Sequence, residues 1–185
     1  MEEHAAKPRL ATVSLAGCFG CHMSLLDLDE SLFELLQLVE LDRTPLSDQR
    51  SFSGRCRLGL VEGGCATDED VRRLRDFRAS CDLLIAVGDC AINGGVPAMR
   101  NTLSLEECIR EAYLESPSVI NPDGTLPGDP ALPRLLDRVY GCHEVVEMDH
   151  ALPGCPPSAE AIWLTISALL RGQLAELPYH LLRYD

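Results

Sequence analysis

Nine cysteines stand in this chain of 185 residues, and five of them follow short apolar runs of the kind that form buried strands. The run Leu10–Ala16 leads into Gly17-Cys18-Phe19-Gly20-Cys21, a C-x-x-C on a strand-to-helix turn. Arg57–Val61 leads into Glu62-Gly63-Gly64-Cys65, and Asp82–Val87 into Gly88-Asp89-Cys90 with Gly94-Gly95 beyond. His143–Met148 leads, through a brief loop, into Pro153-Gly154-Cys155-Pro156-Pro157. Soft thiolates gathered in one place select zinc or an iron–sulfur cluster over magnesium or calcium. A cubane cluster takes four thiolates. Glycines beside Cys18, Cys21, Cys90 and Cys155 allow tight turns and close backbone approach. The N–H groups opening the helix after Cys21 favour a negatively charged group. Pro156 and Pro157 stiffen their turn and can start the helix that follows. A lone C-x-x-C also suits zinc sites and thioredoxin-like redox pairs, but such a pair leaves Cys65, Cys90 and Cys155 unexplained. Residue types alone leave three readings open: a cluster, zinc, or buried thiols without metal.

Elements must carry these residues to a common edge. After the first strand, Leu25, Leu28, Leu32, Leu35, Leu36 and Val39 recur at helical spacing, so Ser24–Leu38 is expected as one amphipathic helix. Leu38–Leu41 could open a second strand, and Thr44–Cys56 reads as a loop. Thr67 is an expected N-cap, with Asp68, Glu69 and Asp70 in the first turn of the next helix. Further helices are expected over Leu105–Leu114, Leu132–Val139 and Ser158–Leu170, with a proline-rich loop over Ser116–Pro133. Strands alternating with helices predict an α/β fold with a mainly parallel sheet. Ligands in such sheets sit outside the carboxyl ends of the strands. Cys18, Cys21, Cys65, Cys90 and Cys155 fall on that rim, whereas Cys56, Cys81, Cys108 and Cys142 precede or interrupt elements.

Composition narrows the classes of function. The 29 acidic residues outnumber 16 basic ones, for a formal charge of −13, which argues against a nucleic-acid partner. No apolar run approaches the roughly 20 residues of a membrane span. Met1–Arg9 carries no signal core, and no twin arginine precedes Leu10. A cytoplasmic chain is expected, one domain over 1–185 with tails at 1–9 and about 173–185. Cytosolic thiols are kept reduced, so the cysteines call for a role other than disulfides. There is no G-x-x-x-x-G-K-[ST] loop and no G-x-G-x-x-G after a strand. His4, His22, His143, His150 and His180 are scattered; His22, beside the C-x-x-C, is a candidate donor to cluster sulfur. Glu62 reads as a solvated or helix-capping carboxylate, with a proton-handling or interface role as the sharper alternative.

Taken together, the segments Leu15–Cys21 with Ser24-Leu25-Leu26, Val61-Glu62-Gly63, Gly88-Asp89-Cys90-Ala91 with Gly94-Gly95, and Pro153–Pro157 resemble the small subunit of nickel–iron hydrogenases. They keep that family's order and span Leu10 to about Leu170. The resemblance implies a flavodoxin-like three-layer domain with one proximal [4Fe–4S] cluster at the carboxyl edge of the strands. It implies Cys18, Cys21, Cys90 and Cys155 as ligands and leaves Cys65 out. Many members continue into a second cluster-binding domain or carry a twin-arginine signal; their absence here resembles the cytoplasmic NAD(P)-linked branch. That branch implies a nickel–iron large subunit and a diaphorase of flavin and iron–sulfur subunits as partners, with NAD bound there. The small subunit of respiratory complex I is a relative, but its adjacent cysteine pair differs from the C-x-x-C here. A flavodoxin-like fold also raises FMN, for which the chain shows no phosphate-binding signature. The rival expectations are a hydrogenase subunit serving another acceptor, or a stand-alone zinc- or flavin-binding module.

Overall fold

Strand β1 (Arg9–Ser14) sits second in a parallel sheet of five, between β2 (Glu40–Leu41) and β3 (Cys56–Glu62). β5 (Cys81–Val87) and β7 (His150–Leu152) complete it, in the order β2-β1-β3-β5-β7. Counting only the strands of this sheet, that is the 2-1-3-4-5 order of doubly wound flavodoxin-like folds. A second, antiparallel pair joins β4 (Cys65–Thr67) to β6 (Leu135–Tyr140). These elements come from a computed structural model, which describes residues 7–182. The outermost parts of both expected tails lie outside that range.

Both sheet faces are covered, which is why its strands read as nearly continuous apolar runs. On one face Leu10, Leu58, Leu60 and Ile85 pack beneath Leu25 of α1 (Gly20–Leu26), Leu35 of α2 (Glu30–Leu38), and Ile162 and Ile166 of α6 (Ala159–Leu170). On the other, Val13, Val61, Leu84 and Ala86 pack beneath Leu74 and Phe77 of α3 (Asp68–Ser80) and Ala91 of α4 (Asp89–Asn93). Leu177 and Leu181 of the C-terminal stretch return to the first of these layers. Truncating a fully buried leucine such as Leu58 to Ala would cost about 2–5 kcal/mol. Among the described residues no helix is long and apolar enough to cross a membrane.

The expected N-cap at Thr67 is present as a full capping box with Asp70. Ser158 likewise caps α6 by accepting from Ala161 N. Three expectations fail. The expected Ser24–Leu38 helix is two, because Asp29 adopts a positive φ of 51° and turns the chain between α1 and α2. Leu132–Val139 is not a helix: β6 begins at Leu135 and pairs with β4, while the Asn101 amide brackets Val139 by bonding both its N–H and its carbonyl. His143–Met148 is not a strand either. Cys142–Glu144 forms a 3-10 turn closed by Gly141 N donating to Glu144, and the parallel strand starts at His150. Leu105–Leu114 is helical throughout, as α5 (Leu105–Arg110) continued by a π turn over Glu111–Glu115.

Candidate cluster site

Four loops meet where β1, β3, β5 and β7 end. Cys18 and Cys21 come from the loop after β1 and the first turn of α1, Cys90 from α4, and Cys155 from the loop after β7. All four line one open cleft of about 360 Å³, together with Glu62, Gly63 and Asp89. Cys18 and Cys155 are exposed, while Cys21 and Cys90 are half-buried.

Hydrogen bonds between the loops hold this arrangement. Asp89 N donates to Gly154 O and the Asp89 carboxylate accepts from Gly154 N, both at 3.0 Å, which ties the Cys90 and Cys155 segments together. Gly88 N donates to Leu152 O at 2.8 Å. Ser24 Oγ donates to Pro157 O at 2.6 Å and fixes α1 to the Cys155 turn. Two glycines make room for sulfur. A Cβ on Gly88 would stand 2.4 Å from Cys21 Sγ, and one on Gly95 2.9 Å from Cys90 Sγ; both residues also hold positive φ. Phe19, between the two cysteines of the C-x-x-C, takes φ 67° and stacks on the His22 ring at 4.6 Å.

Beneath the cleft lies a buried polar group. Glu62 is 3% exposed, so the solvated reading fails and the capping reading holds: its Oε2 accepts from His22 N at 3.0 Å, in the first turn of α1. Its Oε1 accepts from Ser14 Oγ at 2.7 Å and lies 3.1 Å from His22 Nδ1. His22 Nε2 is 2.8 Å from Thr12 Oγ1, which is 2.6 Å from Thr44 Oγ1. Burial pushes the Glu62 carboxyl up, but the hydrogen bonds from His22 and Ser14 more than offset it, so its pKa is lowered. Ser14 and Thr12 had no signal in the sequence as parts of a site, while Ser24 and Asp89 stand in the segments that carry the family resemblance but had no role of their own there.

Burial first, and then the negative charges of Glu62, Cys90 and Cys18, push the Cys21 thiol far up. Burial also raises Cys90; the Val96 N–H partly offsets it, while Cys155 and Cys18 push the same way. Cys21 and Cys90 are therefore held as thiols unless a cation sits beside them, since a coordinating metal deprotonates thiols outright. Among the described residues no three His, Cys, Asp or Glu side chains close on a point that would hold a single ion. Four thiols spread around an open cleft, with backbone kept clear of two sulfurs by glycine, fit a larger thiolate-bound group such as an iron–sulfur cluster. The remaining cysteines stay apart. Cys65 is fully buried and does not line the cleft, and Cys142, also fully buried, donates its Sγ–H to Gly63 O at 3.4 Å. Cys56 and Cys81 are register partners on β3 and β5, buried at the opposite end of these strands. His143 Nδ1 lies 2.9 Å from Ile92 O, and His4 lies outside the described residues.

Comparison with known proteins places the chain among relatives. The family described as "NADH ubiquinone oxidoreductase, 20 Kd subunit" matches residues 18–169. The delta subunit of the NAD-reducing hydrogenase HoxS of Cupriavidus necator is 45% identical over 180 residues, 97% of this chain and 86% of the relative. A subunit of the F420-non-reducing hydrogenase of Methanothermobacter marburgensis is 34% identical over 176 residues; the match spans 94% of this chain but 57% of that one. A chain in a crystal structure of an NAD+-reducing [NiFe]-hydrogenase in the H2-reduced state superposes with a TM-score of 0.92. It is 46% identical, and the match covers 97% of this chain and 99% of that one. With a family match reaching from the first cleft cysteine almost to the end of α6, the chain belongs to the NADH ubiquinone oxidoreductase 20 Kd subunit family.

Proposed function

We propose that this chain is the electron-transfer small subunit of an NAD-reducing nickel–iron hydrogenase, an oxidoreductase assembly that interconverts H2 + NAD+ and NADH + H+. The observation that carries this is the four-thiol cleft, in a chain 45% identical to a subunit of such an enzyme along nearly its whole length. Cys18, Cys21, Cys90 and Cys155 hold one [4Fe–4S] cluster. That cluster, when bound, supplies one-electron transfer between the nickel–iron site of a large subunit and a diaphorase. The chain's own residues do the rest. The Asp89, Ser24 and Gly88 hydrogen bonds fix the spacing of the ligand loops. Glu62 anchors the first turn of α1 and so sets where Cys21 points. The apolar layers on both sheet faces close the back of the cleft, leaving the carboxyl edge as its open side. On this reading residues 1–185 form one cytoplasmic iron–sulfur domain, with catalysis and NAD in the partner subunits.

A second reading, a hydrogenase serving another acceptor, draws on the F420-non-reducing relatives, but their lower identity, 34% against 45%, favours the NAD-linked one. The first test is iron and acid-labile sulfide on anaerobically purified protein, with zinc and flavin assayed alongside. About four of each per chain is expected; zinc without sulfide would sink the electron-relay reading. In the assembled enzyme, Cys155→Ser should abolish hydrogen-dependent NAD reduction while leaving NADH oxidation by artificial dyes nearly intact. Retained hydrogen-dependent activity would remove Cys155 from the ligand set.

A further inference from the structure

Beside the thiol cleft lies a second opening, about 590 Å³, bounded by β1, the 43–50 loop and α3. Arg43, Arg50 and Arg73 all line it, in a chain of net charge −13. Arg73 is held by Glu69 on its own helix. Among the described residues the ion pairs involve neither Arg43 nor Arg50. Arg43 is nevertheless fixed in place. Its guanidinium carbon lies 5.2 Å and 5.3 Å from the ring centroids of Phe52 and Phe77, and its carbonyl accepts from Thr12 N at 2.9 Å. A cation already ordered by aromatic faces gives up little freedom when an anion arrives.

The pocket and the cleft share a floor. Ser14 lines the pocket and donates to Glu62, which lines the cleft. Thr12 and Thr44 also line the pocket, and Thr12 bonds the His22 ring. The pocket is lined by the last three residues of β1 and by the loop that follows β2, and the cleft by the loop that follows β1, so the two openings adjoin the carboxyl end of the same strand. An acidic surface repels most carboxylates and attracts them at a local cluster of cations, which makes such a cluster a device for orienting a partner.

We propose that this arginine pocket receives an acidic side chain of the large subunit that covers the cluster edge, and so sets the register in which the two subunits dock. The proposal rests on the reading of the chain as a hydrogenase small subunit. Arg43 and Arg50 present the planar forks that pair with a carboxylate through two parallel hydrogen bonds. Neither arginine lines the cluster cleft, so changing them leaves the ligand set alone.

The test measures the dissociation constant between the cluster-loaded chain and the large subunit of the same enzyme at low and high salt. Arg50→Glu is the main variant because Arg50 is exposed; iron content and melting temperature of the isolated chain are read alongside. The expected result is association weakened roughly 10- to 100-fold at low salt, unchanged iron, and only partial recovery in Arg50→Lys, which keeps the charge but not the fork. Arg43→Gln, if its melting temperature holds, should add to the loss. Unchanged affinity in Arg50→Glu overturns the proposal. So does inorganic phosphate binding the assembled pair as tightly as the free chain, since the pocket would then stay open in the complex. Failure of the unaltered chain to bind the large subunit removes the hydrogenase reading and the proposal with it.

Discussion

Gly88 tests how strictly the cleft is built, because its missing side chain is where Cys21 Sγ lies. Gly88→Ala puts a methyl 2.4 Å from that sulfur on a backbone with φ 82°, so sulfur or strand end must shift. The Ala variant should keep its helix content by circular dichroism, lose about 1–3 kcal/mol of stability, and bind much less iron than the parent. Iron content equal to the parent's would show that the sulfur positions are not fixed by the backbone. Cys18, Cys21 and Cys90 are legible in the sequence, since they follow apolar runs that do form strands and the carboxyl-edge rule says where such residues go. Cys155 instead reaches that edge behind β7 and not behind the expected His143–Met148 strand. Cys65 follows the same rule and yet turns inward, because β4 leaves the main sheet to pair with β6 and carries it under the cleft. Burial of Glu62 is not legible there. Its partners Ser14 and His22 are 48 and 40 positions away in the chain, and nothing local reports that they meet.

Elements with a strong local signal were readable and those set by long-range pairing were not. β1, β3, β5, α3 and α6 each combine an apolar pattern with a stop or a cap. β6 and β7 do not. Leu135–Tyr140 has the composition of a short helix and becomes a strand because β4 supplies an edge. Strand β7 is three residues long, and what places it is an anchor just before it: Asp149 accepts from Leu84 N at 2.7 Å and from Arg78 Nη1 at 2.6 Å. Burial pushes the Asp149 carboxyl up, but Arg78 and the Leu84 N–H outweigh it and its pKa is lowered. A lowered folded-state pKa contributes stability that is complete above the unfolded value of about 3.9 and is lost as pH falls through the folded value. In the metal-free chain, Asp149→Asn should therefore cost about 1–2 kcal/mol near neutrality and much less in acid. Melting temperature against pH checks this. A difference between the two proteins that stays constant from neutrality down to acid would rule the anchor out as an ionised one.

At the scale of the whole molecule, the nine thiols divide by accessibility, and that division turns the fold into a measurable pattern. Cys18 and Cys155 are exposed on the open edge, whereas Cys56, Cys65, Cys81 and Cys142 are fully buried. Burial pushes Cys56 up to about 11 and Cys81 up to about 12, so few of their thiolates exist even where reagent reaches them. Cys142 is raised by its hydrogen bond to Cys65 and by burial. In the metal-free chain an alkylating reagent should modify Cys18 and Cys155 first. The four buried thiols should follow together, at a rate that tracks unfolding of the sheet, since Cys56 and Cys81 lie inside it and Cys65 and Cys142 lie against it. Loading the chain with iron and sulfide should then protect Cys18, Cys21, Cys90 and Cys155 as a set while leaving Cys108, half-buried on α5, reactive. Mass spectrometry of the labelled peptides reads every site at once. Protection of Cys65 in place of one of the four would move the cluster to a different ligand set; protection of all four together would leave the rest of the enzyme only this edge through which to exchange electrons.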